Sequence, residues 1–290
     1  MNCDESPRPV SGGGGAQDVD LAISSFAAVR RPLPEAAGDL LAADVGIEIL
    51  CEPPHAWPPP VPWPHGRVVA LHAPILGINI ASTNPGIREE SVAQVIATIR
   101  EAARLGARGV VVHPGIPPYQ EVFPRETGLP HAVASLRRCA DAAAAAGVGL
   151  YLENMPAVAL ADGAPRMGFA YGVRYEELRE LFDRVDHPAL RLCLDVAHAY
   201  LAGPEALRAL LADRDVVHVH VNDNRGRRDD HLAWGDGEIS QAVDLRRDLP
   251  PWVQTVVVET ATIEAARRSL AHAGLGAAHG RDATEGRARR

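Results

Sequence analysis

Gly149-Leu150-Tyr151-Leu152-Glu153 is a short apolar run that stops on a carboxylate, and five others in the chain stop on a carboxylate or a histidine. Val68-Val69-Ala70-Leu71 runs into His72, Gly109-Val110-Val111-Val112 into His113, and Leu192-Cys193-Leu194 into Asp195. Val216-Val217-His218-Val219 runs into His220, and Val256-Val257-Val258 into Glu259. Short β-branched runs between helical stretches read as buried parallel strands. In an α/β barrel the C-terminal ends of such strands carry the chemistry. One strand ending in His says little. Six in succession, all ending in His, Asp or Glu, predict a metal centre at one rim of a barrel.

Outward from these runs the same alternation fills the chain. Asp20 to Phe26 reads as a first strand, Pro34 to Ala43 as a helix and Gly46 to Leu50 as a second strand. Ser91 to Leu105 has the helical period and ends at Gly106, and His131 to Ala146 ends at Gly147, the residue type that best closes a helix. Tyr175 to Val185, Pro204 to Ala212, Ile239 to Asp248 and Ile263 to Ala273 are the remaining helices. The expected fold class is α/β: a single-domain (β/α)8 TIM barrel over residues 18–274, counted as eight strand–helix units. Residues 1–17, with the Gly12–Gly15 run, and residues 275–290, rich in Gly, Ala and Arg, are expected to be flexible tails.

A length of 290 residues suits one large barrel. No uncharged apolar run reaches the roughly 18 residues of a membrane span, and the N-terminus lacks an apolar signal core, so a cytoplasmic protein is expected. Cys3, Cys51, Cys139 and Cys193 form no CxxC pair and read as reduced thiols. The formal net charge of −8 argues against a broad nucleic-acid surface while leaving room for a local basic groove.

Further donors follow the strand ends. Asp195-Val196-Ala197-His198 adds a histidine just past its strand, and Asp229 and His231 lie in a polar, basic stretch that reads as a loop over the barrel mouth. His218, deeper in its strand than His220, reads as a hydrogen-bonded core residue. Glu48 reads as a polar group inside the barrel, and Asp223 as an Asx turn or helix cap. Residues Glu52 to Gly66 hold seven prolines, two tryptophans and two histidines. Such a loop is stiff and extended; it either walls a pocket, with Trp57 or Trp63 stacking on a sugar face, or simply covers the rim. Its histidines, His55 and His65, read as surface residues. Trp234 and Arg225 join the tryptophans as candidate substrate contacts. Burying six carboxylates and imidazoles together is costly unless a cation offsets the charge, which favours the metal reading.

The strings HAPILGINIAS, VVVHPG, LENMP, LDVAHAY, HVHVND, DDHLAWGDGEI and VVVET together resemble the xylose isomerase-like TIM barrels, a superfamily of sugar and sugar-phosphate isomerases and epimerases that also includes endonuclease IV. The resemblance covers roughly Asp20 to Gly274. It implies, for an epimerase, one divalent ion on Glu153, Asp195, His220 and Glu259. For an endonuclease IV-like enzyme it implies three zinc ions on those four together with His72, His113, His198, Asp229 and His231. Mixed imidazole and carboxylate donors suit zinc, manganese, cobalt or iron.

The expected function is a metal-dependent sugar or sugar-phosphate isomerase or epimerase. By resemblance Glu153 and Glu259 would be the acid/base pair beside a metal-polarised carbonyl, with His198 on a substrate oxygen. The first alternative is a zinc phosphodiesterase acting on abasic DNA, for which nucleic acid would be the partner. Against it stand the acidic charge, the proline-rich loop and Ile75 where the endonuclease carries a tyrosine. The second alternative is a non-catalytic metal- or sugar-binding barrel.

Overall fold

Eight parallel strands close on themselves, and the chain supplies them in order. β1 (Asp20–Ser24), β2 (Gly46–Leu50), β3 (Val68–His72), β4 (Gly109–Val112) and β5 (Gly149–Glu153) come first. An antiparallel hairpin, β6 (Ala157–Ala159) with β7 (Arg166–Gly168), interrupts the series. β8 (Leu190–Asp195), β9 (Val216–Val221) and β10 (Thr255–Val258) complete it, and β10 pairs back onto β1. This is the expected TIM barrel. The computed structural model describes residues 19–56, 62–118, 122–159 and 166–273. Both expected tails, Cys3 and Trp57 lie outside them.

The helices are α1 (Leu33–Leu41), α2 (Pro85–Leu105), α3 (Leu129–Ala146), α4 (Tyr175–Val185), α5 (Val196–Ala202), α6 (Pro204–Ala212), α7 (Ile239–Ala242), α8 (Leu245–Asp248) and α9 (Ile263–His272). Among the described residues no helix is long and apolar enough to cross a membrane. Helix placement follows local chemistry. The Asn84 side chain accepts from the amides of Gly86 and Ile87 to start α2, Pro85 occupies the first turn, and Gly106 closes the helix in the left-handed conformation. Val92, Val95, Ile99 and Ala102 form its buried stripe, spaced three or four apart, against β3 and β4.

Details within the barrel differ from the sequence reading. The connection from β2 to β3, read as a loop over Glu52 to Gly66, shows no helix among the described residues. The prolines of that connection lack the amide hydrogens a helix needs. The first strand stops at Ser24 instead of Phe26, because the Ser24 hydroxyl accepts from the Phe26 amide and starts a 3-10 turn over Ser25–Ala28. The helix expected over Ile239 to Asp248 is two short ones, broken where extended Val243 is followed by Asp244, whose side chain caps α8. His55 is buried instead of lying on the surface, its ring held between the Arg31 carbonyl and the Ser25 hydroxyl.

Residues two apart on a strand share a face, so beneath Glu153, Asp195 and His220 lie Tyr151, Cys193 and His218. The Tyr151 ring stacks on His218 with centroids 5.1 Å apart. Cβ atoms built on Gly109 and Gly149 would fall 2.5 and 2.6 Å from Tyr151 ring atoms, so both positions must be glycine for the ring to lie there. Cys51, Cys139 and Cys193 are free and buried. We expect Gly109→Ala to destabilise the protein by about 1–3 kcal/mol through overpacking, seen as a lower thermal midpoint; an unchanged midpoint would show that the floor can relax.

Candidate metal centre

Each strand end delivers its donor to the same mouth. His72, Glu153 and Asp195 are the last residues of β3, β5 and β8, His220 is one short of the end of β9, and His113 and Glu259 follow β4 and β10 directly. Glu153 is 1 % exposed, and its two oxygens serve different neighbours. Oε2 lies 3.2 Å from His72 Nε2 and 3.1 Å from His113 Nε2. Oε1 lies 3.3 Å from His220 Nδ1, which is also 3.0 Å from Glu259 Oε2. Donor atoms of His72, His113 and Glu153 fall within 4.8 Å of one another, and so do those of Glu153, Asp195, His220 and Glu259. Glu153 belongs to both groups, the position of a bridging ligand.

A third group sits beside them. Asp229 Oδ2 lies 3.1 Å from His198 Nε2 and 2.7 Å from His231 Nε2. The nine residues considered at the sequence level therefore gather at one mouth, as two donor sets that share Glu153 and, beside them, Asp229 paired with His198 and His231.

Backbone carbonyls orient these imidazoles. His72 Nδ1 is 2.7 Å from the Ala73 carbonyl, His198 Nδ1 is 2.8 Å from that of Asn154, and His231 Nδ1 is 3.2 Å from that of Glu259. A carbonyl oxygen only accepts, so each Nδ1 must carry the hydrogen. In the neutral ring Nε2 then keeps a lone pair facing the centre, the tautomer a metal ligand needs. Asp195 is held from all sides: Oδ1 accepts from the His198 amide and Oδ2 from the Asn222 side chain, while the Asn154 side chain brackets its backbone. Glu48, fully buried, accepts from His218 Nε2 at 2.8 Å and stands 3.1 Å from His220 Nε2, the nitrogen turned away from the centre. It is thus an outer carboxylate behind two histidines.

The mouth loop has its own anchor. The buried Asp223 carboxylate accepts from the amides of Asn224, Gly235, Gly237 and Ile239, fastening both ends of the segment that carries Asp229 and His231. Gly237 is required there, because a Cβ would collide with the Asp223 side chain and the Asn224 carbonyl. His231 adopts a left-handed backbone, φ 47°, uncommon for a non-glycine residue. Its ring packs on Phe26 with centroids 4.5 Å apart.

The residues fit a set of cations on structural grounds. Glu48, Glu153, Asp195 and Glu259 are all buried together, and Asp229 Oδ1 is buried with no hydrogen-bond donor among the described residues. Such concentrated negative charge calls for compensation. Protons supply it in the metal-free chain. Burial would raise Glu153, but His220 and the hydrogen-bonded His113 and His72 hold it well below the usual carboxylate range. Burial opposes protonation of His220 and His198, yet the carboxylates around each hold both well above the usual histidine value. Despite burial, Asp229 brings His231 up to about 9. Burial pushes Asp195 up to about 6, with Asp229 and Glu153 adding to the shift.

The other candidates lie elsewhere or at the edge. Trp63 packs, partly buried, against the main core. Trp234 is 4 % exposed and is a core residue too, its amide donating to Ser269, so it has little face to offer a substrate. Arg225 is exposed on the mouth loop. His218 is the buried, hydrogen-bonded residue its depth suggested, and Glu48 lies in the barrel interior, as read. What sequence reasoning missed is that Glu48 meets both histidines, and that Asn154 and Asn222 orient Asp195. Each asparagine directly follows a ligand-bearing strand, which was the available signal.

The sequence matches the family described as xylose isomerase-like TIM barrel over residues 64–275. Two uncharacterized proteins of Methanocaldococcus jannaschii are 31 and 27 % identical to it, and the chain spans only 57 and 61 % of their lengths. The probable endonuclease 4 of Mycobacterium leprae is 30 % identical over 236 residues, 76 % of this chain and 85 % of that one. Among solved structures, a D-tagatose 3-epimerase-like protein superposes with a TM-score of 0.72 at 25 % identity, covering 88 % of this chain and 95 % of its own. Endonuclease IV from Thermus thermophilus superposes at 0.61 with 24 % identity, covering 88 and 98 %, a likeness of fold.

Three outcomes are expected of the centre. Because His198, His220 and His231 hold protons at neutral pH in the metal-free chain, zinc loading should release protons, and affinity should rise with pH through about 9, where His231 titrates. Calorimetry in buffers of different ionisation enthalpy measures this; proton-neutral uptake would contradict it. The metal-free protein should behave oppositely: a raised histidine pKa stabilises below 6.5, and that contribution is lost as pH climbs through about 9. Separately, Glu48→Gln should weaken metal affinity about 10–100-fold, read by competition with a chelating dye.

Proposed function

Since the chain belongs to the xylose isomerase-like TIM-barrel family, we propose that it is a divalent-metal-dependent hydrolase of phosphate esters, working at a centre that holds up to three ions. One observation carries this reading: the Glu153 carboxylate is shared between two complete donor sets, and beside them Asp229 Oδ2 lies within 3.1 Å of both His198 and His231. A one-ion isomerase has no use for His72, His113, Asp229 and His231. This ranks phosphoester hydrolysis above the isomerisation expected from sequence. The relative named probable endonuclease 4 makes a nucleic-acid phosphodiester the first substrate class to test.

Ions bound there would neutralise phosphoryl oxygens and make water more acidic. The chain's own part is to hold and orient. Glu153 ties the sets together, and three carbonyl-locked imidazoles present lone pairs without rearrangement. Asn154 and Asn222 keep the Asp195 oxygens fixed, and Arg225, exposed on the mouth loop, offers positive charge to an incoming phosphate. The floor of Tyr151 and His218 closes the barrel from below, so substrate must enter from the mouth.

A second reading keeps the sugar isomerase or epimerase. It is favoured by the one-ion set of Glu153, Asp195, His220 and Glu259, complete in itself, and by the D-tagatose 3-epimerase-like neighbour. Glu153 and Glu259, both within 3.3 Å of His220 Nδ1, would then exchange the substrate proton.

Metal analysis and two assays separate them. The hydrolase predicts about three ions per chain, cleavage of duplex DNA at an abasic site or of a simple aryl phosphodiester, and a loss exceeding about hundredfold in His231→Ala, more than an outer partner costs. The epimerase predicts one ion, and exchange of the proton beside the carbonyl when ketoses are incubated in deuterated water, abolished in Glu259→Gln. Ketose exchange with no phosphoester cleavage would overturn the first reading.

A further inference from the structure

A cavity of about 200 Å³ opens beside the centre, between the segments that follow β3, β4, β5 and β7. Its walls are Ile75, Ile78, Ile80, Ile116, Met155 and Phe169, and His113 forms the side it shares with the donor sets. Apart from His113, no ionisable side chain lines it among the described residues. Asn79 is its one amide side chain among them, and that amide is committed: Oδ1 accepts from the amides of Ala81 and Ile116, and Nδ2 donates to the Ile116 carbonyl. Ile116 is 51 % and Phe169 53 % exposed at the rim, so apolar surface faces outward instead of joining the core.

Such a pocket is unsuited to a sugar, whose hydroxyls would lose water and find no partners. It is suited to a ring. A dry apolar cavity of roughly 150 Å³ is large enough for benzene, and this one is somewhat larger. We propose that the cavity is a substrate subsite that takes a single aromatic ring carried by the phosphate ester, placing the phosphoryl group at the donor sets through the shared wall at His113. The substrate is then an ester bearing an aryl or nucleobase-like ring one short linker from phosphorus. This assignment rests on the hydrolase reading for its phosphate and on the cavity alone for its ring.

Two measurements test it. The first compares methyl 2,2,2-trifluoroethyl phosphate with benzyl 2,2,2-trifluoroethyl phosphate on the metal-replete protein, following trifluoroethanol release; the leaving group is identical and not aromatic, so the ratio of kcat/KM reports the ring. The expected preference for the benzyl ester is at least about tenfold from apolar burial, falling toward unity in Ile116→Asp and Phe169→Asp. The second is saturation-transfer NMR of benzyl alcohol on the wild-type protein, which needs no turnover; a signal lost in Ile116→Asp is expected. Absence of ring binding to the wild type, or hydrolysis of both esters at equal efficiency, overturns the subsite. Ring binding with neither ester hydrolysed keeps the subsite and overturns the hydrolase reading instead.

Discussion

One buried carboxylate sets the terms for the rest of the molecule. Glu153 stands among the ends of neighbouring strands, almost without solvent, and the imidazoles of His72, His113 and His220 reach it. A charge taken out of water must be matched at close range, and the barrel is the arrangement that brings matching donors from strands far apart in sequence. The glycines at the bottom of β4 and β5 let Tyr151 close the interior. The carbonyls at the top fix ring tautomers. The helices keep the strand ends in register by burying stripes such as that of α2.

Much of this is legible in the sequence because barrel strands are short, β-branched and separated by helices with ordinary caps. A ligand at the strand end breaks that apolar pattern at a predictable place, which is why Glu153, Asp195, His220 and the others can be read one by one. The errors have equally local causes. A hydroxyl at Ser24 ends the first strand two residues early. Trp234 resembles a mouth aromatic because it follows the His231 segment, yet the chain turns inward after Leu232 and buries it. Tertiary direction of that kind leaves no trace in composition.

Contacts between distant polar residues are the least legible. Glu48 and His218 are separated by 170 positions, and nothing in either strand announces that they meet. Only closure of the sheet brings β2 across from β9. The apolar cavity beside His113 is a similar case, since its walls come from segments after several different strands. Each segment is ordinary alone, and together they shape space that none implies.

The Asp223 anchor bears on how such centres diversify. Asp229 and His231, two of the nine donors, lie on one segment whose ends are fastened by a single side chain. It accepts from the Asn224 amide at the start of that segment and from those of Gly235, Gly237 and Ile239, just beyond Trp234, at its close. The segment is fastened by one side chain at its base, and further along the His231 ring meets the Glu259 carbonyl while the Ala261 and Ala159 amides donate to the His231 and Arg227 carbonyls. Its sequence can change, or lose both donors, while the eight strands and the remaining seven ligands stay as they are. Two of the donors are thus carried by one replaceable loop, whereas His72 and His113 belong to the strand ends. Editing about ten residues in that loop changes the side chains offered at the mouth while the barrel strands keep their pairing.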